Sequence, residues 1–167
     1  MHNMFDIKKI NSLDKSEFLS IFGNVFEKST WISEEAFKLK PFKDLDSFFT
    51  KIIEIYEKSD DETIKKILNL HPELAVEKKL TENSEIEQLK ANLKECTPEE
   101  FDQFKILNLN YRKKFNFPFI IAVKGKNKTE ILKKFRERIN NSIENEFLEA
   151  KNQVKKIATF RLEELIK

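Results

Sequence analysis

"TPEEFDQFKILNLNYRKKFNFPFIIAV", residues 97–123, decides the fold, because a helix that announces its own start runs straight into the one stretch of strand-like composition. Thr97 reads as an N-cap, Pro98 suits the first helical position, where its missing N–H costs nothing, and Glu100 completes a capping box. Phe101, Phe104, Leu107, Tyr111 and Phe115 then recur at spacings of three, three, four and four, which draws one apolar stripe along a helix. Residues 117–123 have strand-like composition, but no second convincing strand is present to pair with them. A lone strand cannot satisfy its ladder groups, so these residues are expected to form an extended segment packed on helices.

Outward from this stretch, Asp14 with Glu17 three residues on marks another helix start. Helices are expected at about 15–26, 31–38, 45–58, 61–70 and 82–93, and from 128 to the end with a break near Asn140-Asn141-Ser142. Pro41, Pro72 and Pro118 punctuate the gaps. Nothing reads as a linker, a repeat or a low-complexity tract. The expected architecture is all-α: a single compact domain over residues 1–167, of about eight helices with one extended Phe-Pro-Phe segment. Residues 1–10 are candidates for terminal mobility.

Composition narrows the function. The 167 residues can bury roughly 70% of the unfolded chain's surface, and the 16 Phe supply large rings for a core while 36% charged residues solvate the outside. Lys and Arg total 31 against 29 Asp and Glu, far from the basic excess of a nucleic-acid binder, so no nucleic-acid partner is expected. The short clusters "YRKKF" (111–115) and "KGKNK" (124–128) read as solvated surface. The single Cys96 cannot close an internal disulfide, and with two His it cannot furnish a usual zinc site. Two glycines are too few for a phosphate-cradling loop. The longest apolar run, 117–123, falls well short of the about 20 residues of a membrane helix, and the N-terminus shows no apolar signal segment. The expectation is a cytoplasmic protein with no membrane partner.

Four places set polar residues where a plain helical surface would not need them. His71 stands at a helix end directly before Pro72, which steers its backbone away from helical geometry and fixes its direction. It is either a cap for a terminal carbonyl or a held acid/base group. In "TENSEIEQLKANL" (81–93), Ile86, Leu89 and Leu93 read as the core stripe, and beside them Ser84, Glu87, Gln88 and Ala91 form a second stripe that borders either a polar pocket or water. Arg161 falls within the inward stripe of Val154, Ile157, Ala158 and Leu165, where a guanidinium needs a protein carboxylate or an anionic ligand unless it snorkels out. Backbone groups of residues 119–122, released from helix pairing, could bond a flat polar ligand or serve only as a staple.

These places are also where the chain resembles the OHCU decarboxylases, enzymes of purine catabolism acting on 2-oxo-4-hydroxy-4-carboxy-5-ureidoimidazoline. The resemblance is carried in order by "FGNVFEKSTWISEEAFKLKPF" (22–42), "HPELA" (71–75), "LTENSEIEQ" (80–88), "LNLNYRKKFNFPFIIAVKGK" (107–126) and "RINNSIENEFLEAKNQVKKIATFRL" (138–162). It implies an all-helical carboxy-lyase that needs no cofactor or metal, is commonly a homodimer, and turns its small anionic ureidoimidazoline substrate into (S)-allantoin. On matching positions it implies His71, Glu87 and Arg161 as catalytic residues. Pro72, Ser84, Gln88, Phe119, Ile121 and Ala122 are implied as substrate-binding. His71 would exchange a proton with the 4-hydroxyl or position the departing carboxylate, and Glu87 would accept from ring or ureido N–H groups. Ser84 and Gln88 would fix the ureido arm, and Arg161 would hold an anionic or carbonyl oxygen. Where relatives commonly have glycine this chain has Asn92 and Asn116, and Asn tolerates left-handed backbone better than most residues. The rival reading is a non-catalytic or divergent helical homologue that binds another ureide or purine metabolite.

Overall fold

The structure, a computed structural model, describes residues 5–75 and 80–167. The described residues hold nine helices and no strand: α1 (Ile7–Ser12), α2 (Lys15–Phe22), α3 (Thr30–Phe37), α4 (Leu45–Glu57), α5 (Asp61–Leu70), α6 (Glu82–Lys90), α7 (Pro98–Phe115), α8 (Lys128–Arg138) and α9 (Ile143–Ile166). The all-α expectation holds. One more helix is present than was read from the sequence: α1, capped by Asp6 on the Lys9 amide and anchored by buried Ile10. Six residues are too few to show a periodic stripe. Of the terminal segment expected to be mobile, residues 1–4 lie outside the described residues.

The sequence-level helix starts are realised in their hydrogen bonds. Asp14 accepts from the Glu17 amide and Glu17 returns the bond to Asp14 N–H; Thr97 and Glu100 do the same at α7, with Pro98 first in the helix. α7 ends at Asn116, whose φ of 62° lies in the left-handed region, the conformation that closes many helices. Residues 118–123 then run without regular secondary structure, as expected of the Phe-Pro-Phe segment.

The described residues fall into two units: those up to Leu70 with Lys155–Lys167, and His71–Val154. No linker stands at either boundary, since Leu70 and His71 are consecutive and α9 runs unbroken past Val154 and Lys155. In the first unit α2, α3 and α4 pack around a cluster of rings. Phe22 meets Phe18 and Phe48 at centroid distances of 5.1 Å each, and Phe42 lies 4.9 Å from Phe48. Such tilted and edge-on ring pairs are favourable beyond the area they bury.

The second unit has its own aromatic centre on α7. Tyr111 meets Phe115, Phe117, Phe119 and Phe135, and Phe119 stacks on Phe135 of α8 with centroids 3.9 Å apart. Of the stripe read on α7, Phe104, Tyr111 and Phe115 are buried and Phe101 and Leu107 half-buried, with one addition. Asn108, four residues after Phe104, is buried too.

Candidate active site

His71 is the first residue after α5 and is only 7% exposed. Pro72 follows it, partly buried, and Glu73, Leu74 and Ala75 after it are each held by a hydrogen bond. The Gln88 side chain donates from Nε2 to the Glu73 carbonyl (3.3 Å) and accepts from the Ala75 amide at Oε1 (3.1 Å). Asn108 Nδ2 donates to the Leu74 carbonyl at 3.1 Å, and Arg112 Nε to the Glu73 carboxylate at 3.1 Å. Each buried polar group needs such a partner, so α6 and α7 together fix the direction in which the loop leaves His71. Gln88, expected to bind substrate, spends both ends of its amide on this loop in the structure.

α6 is rotated from its sequence reading. Ile86 and Leu89, expected in the core, are 44% and 56% exposed, whereas Ser84, Gln88 and Ala91 are buried and Glu87 is half-buried. The polar stripe is thus the inward one. The reason is hydrogen-bond satisfaction: turning Gln88 outward would strand two backbone groups of the loop, while exposing two aliphatic side chains forfeits only part of their burial. Leu93 is buried as expected, but not by helical spacing, because the helix ends at Lys90. The Leu93 amide bonds the Gln88 carbonyl and the Asn92 amide the Leu89 carbonyl, with Asn92 at φ 63°. That is a Schellman ending, and it returns Leu93 to the interior by reversing the chain rather than by helical periodicity.

The segment 117–123 also belongs to this unit, and Phe119, Ile121 and Ala122 are all buried. Ala122 has its amide on Gln153 Oε1 (2.9 Å) and its carbonyl on Lys126 Nζ (3.1 Å), so its backbone polar groups are engaged by the protein. The Ile120 carbonyl accepts from Arg138 Nη1 at 2.7 Å. Among the described residues, the backbone N–H and C=O groups of Phe119 and Ile121 make no hydrogen bond.

Arg161 lies on α9 in the first unit, 5% exposed. Its Nη2 pairs with the Glu27 carboxylate at 3.0 Å and its Nη1 donates to the Asn24 carbonyl at 2.9 Å. Of the alternatives open for an arginine in an apolar stripe, the structure shows a protein carboxylate. The turn that presents Glu27 depends on Gly23, since a Cβ there would stand 2.3 Å from the Leu19 carbonyl oxygen. Nor is Cys96 a ready nucleophile: burial pushes its thiol above the ordinary range, which keeps the reactive thiolate scarce.

A family model described as OHCU decarboxylase matches residues 11–163. The chain belongs to the OHCU decarboxylase family. It is 33% identical over 159 residues to the 2-oxo-4-hydroxy-4-carboxy-5-ureidoimidazoline decarboxylase of Halalkalicoccus jeotgali, covering 95% of this chain and 90% of that protein. It is 39% identical over 164 residues to the uric acid degradation bifunctional protein of Bacillus sp. (strain TB-90), where the match covers 98% of this chain but spans only 33% of that longer protein. Among solved structures it is similar to a crystal structure of (S)-allantoin synthase, with a TM-score of 0.78 and 27% identity, covering 96% of this chain and 53% of that one.

Asn92 and Asn116, where the resemblance leads to an expectation of glycine, stand at φ 63° and 62°. Both are left-handed backbone that Asn adopts at modest cost, so the exchanges keep the helix endings that lead to Leu93 and to the Phe-Pro-Phe segment. Sequence reasoning did not find Asn108, Arg138, Glu146 and Gln153. All four are polar and buried, and Asn108 and Arg138 fall on apolar stripes at helical spacing, the signal that did single out Arg161.

Proposed function

We propose that this chain decarboxylates 2-oxo-4-hydroxy-4-carboxy-5-ureidoimidazoline to (S)-allantoin. The observation that carries the reading is a buried histidine on a loop clamped by Gln88 of α6, the same helix that carries Ser84 and Glu87. The whole-length family match supplies the reaction. In that reaction the bond to the carboxylate carbon breaks, carbon dioxide leaves, and the electron pair enters the C=N bond of the substrate's own ring. A proton delivered to one face then sets the hand of the product. Because the substrate is its own electron sink, orientation and a placed proton are what the protein has to supply.

His71 is the group proposed to exchange a proton with the 4-hydroxyl or to position the carboxylate, imidazole being the side chain whose chemistry suits proton transfer near neutrality. Glu87, half-buried on α6, is proposed to accept from ring or ureido N–H groups, and Ser84 to supply a neutral partner. The backbone of Phe119 and Ile121 offers donors and acceptors of the kind a ureide matches. Arg161 enters through the resemblance, and its pair with Glu27 gives it a structural duty that kinetics must separate from a substrate-facing one. A homodimer, a cytoplasmic location and action without a cofactor complete the proposal. Among the described residues no helix is long and apolar enough to cross a membrane.

The test is to generate the substrate in situ from urate and follow the optical activity of the allantoin formed. One hand in excess over the uncatalysed product supports the reading; a racemate at the uncatalysed rate defeats it. His71→Asn is expected to lose about 10²–10⁴-fold in turnover with the fold intact, and a loss below about tenfold would remove His71 from the proton step.

A further inference from the structure

Residues 120–122 are held by side-chain groups that never need touch a ligand. Ile120 gives its carbonyl to Arg138, and Ala122, two residues on, gives its amide to Gln153. The backbone groups of Phe119 and Ile121 are the ones without a hydrogen bond among the described residues. Buried backbone groups left in that condition are costly, and a flat ureide with alternating N–H and C=O groups is the complement that would satisfy them.

The anchors are themselves fixed. Arg138 donates from Nε to Glu146 Oε1 at 2.7 Å, Tyr111 Oη donates to the same oxygen at 2.6 Å, and Asn141 Nδ2 donates to Oε2 at 3.0 Å. The Phe119 ring packs against the guanidinium, 4.4 Å from its carbon. Burial, and then Glu146, hold the Tyr111 phenol above its ordinary range, so it remains a donor. Gln153 is turned by its own bond from Nε2 to Glu149 at 2.8 Å, which leaves Oε1 as the atom facing Ala122. Glu146 and Gln153 are seven residues apart on α9, hence on one face of it. That face and Arg138 form a ruler against which residues 120–122 are set.

We propose that Gln153 and Arg138, the latter steadied by Glu146 and Tyr111, are positioning residues that fix the register of residues 119–122, so that the backbone of Phe119 and Ile121 reads the ureide of the substrate. The inference rests on the function proposed above and adds the residues that make its substrate-reading edge rigid. Gln153→Met removes the acceptor for Ala122 N–H at nearly constant volume. The double exchange Gln153→Glu with Glu149→Gln restores both an acceptor toward Ala122 and a donor–acceptor pair along α9.

Wild type, the single variant and the double variant are compared for KM, kcat and the handedness of allantoin, with urea unfolding as the check on folding. A misplaced binding edge can cost up to about 10²-fold. The expected result is a rise in KM and a fall in kcat/KM of about tenfold or more for Gln153→Met, with the double exchange returning to within about threefold of wild type. Amide exchange on the wild-type protein supplies a second measurement that needs no variant to fold. The Ala122 amide should be protected with or without added allantoin, and the Phe119 or Ile121 amide should gain protection only when allantoin is added. A folded Gln153→Met enzyme with unchanged kcat/KM, a loss the double exchange does not restore, or Phe119 and Ile121 amides indifferent to allantoin would overturn the inference while leaving the decarboxylase reading in place. Wild-type protein that yields only racemate defeats that reading, and the inference with it.

Discussion

Arg161 in the first unit and Arg138 in the second are each buried against a glutamate, yet the two pairs are built differently. Arg161 reaches back 134 residues to Glu27 and also donates to the Asn24 carbonyl. Arg138 pairs with Glu146 only eight residues away, its Nη2 coming within 2.5 Å without the alignment of a hydrogen bond, and the same carboxylate also serves Tyr111 and Asn141. The first pair closes the chain on itself over a long loop. The second is the hub of a network that ends on the backbone of a proposed binding edge. A buried ion pair is weak evidence for net stability, because desolvation offsets attraction. What the contrast teaches is that the cost of breaking each pair depends on how many groups are stranded with it.

Glu146→Ala should have the largest effect, leaving Arg138, Tyr111 and Asn141 without their shared acceptor, at a cost of about 3–5 kcal/mol. The midpoint of urea unfolding reads this, and a shift equivalent to under about 1 kcal/mol would show that the network is dispensable. Glu27→Ala removes the carboxylate from a guanidinium that still holds the Asn24 carbonyl, and a cost of about 3 kcal/mol is expected. If it exceeds that of Glu146→Ala, counting stranded partners is the wrong measure.

Tyr111→Phe removes one donor from a carboxylate that keeps Arg138, and about 2 kcal/mol is expected, since the bond is to a charged group. Its phenol pKa is raised in the folded protein, so the folded state favours the protonated form. The contribution should be fully present below the unfolded phenol's pKa of about 10 and fade only as pH rises above it. Repeating the unfolding comparison across the neutral and mildly alkaline range should give one constant difference. Leu89→Gln on the exposed face of α6 should change stability by no more than about 0.5 kcal/mol, although its spacing marks it as core; a cost near that of a buried leucine would mean that something covers this face in solution.

Much of the fold could be read before any coordinates. The caps at Asp14 and Thr97, the stripe from Phe104 to Phe115 and the break near residue 140 are local matters of hydrogen-bond chemistry and helical spacing, and they appear where expected. The candidate site was legible in part. His71 and Arg161 stood out because an imidazole before proline and a guanidinium on an apolar stripe each demand a local explanation. Gln88 and Gln153 gave no such signal as loop holders, since what they satisfy, the amides of Ala75 and Ala122, lies 13 and 31 residues away along the chain.

By itself the amino-acid sequence determined where every helix but α1 starts and, among the described residues, the absence of a paired strand, because these depend on neighbours within a turn or two. Only the tertiary structure decided which face of α6 turns inward, which carboxylate each buried arginine takes, and which amides of residues 119–122 are already engaged. Those outcomes hinge on satisfying polar groups across large separations in the chain, and a one-dimensional pattern holds no record of which distant partner will be there to meet them.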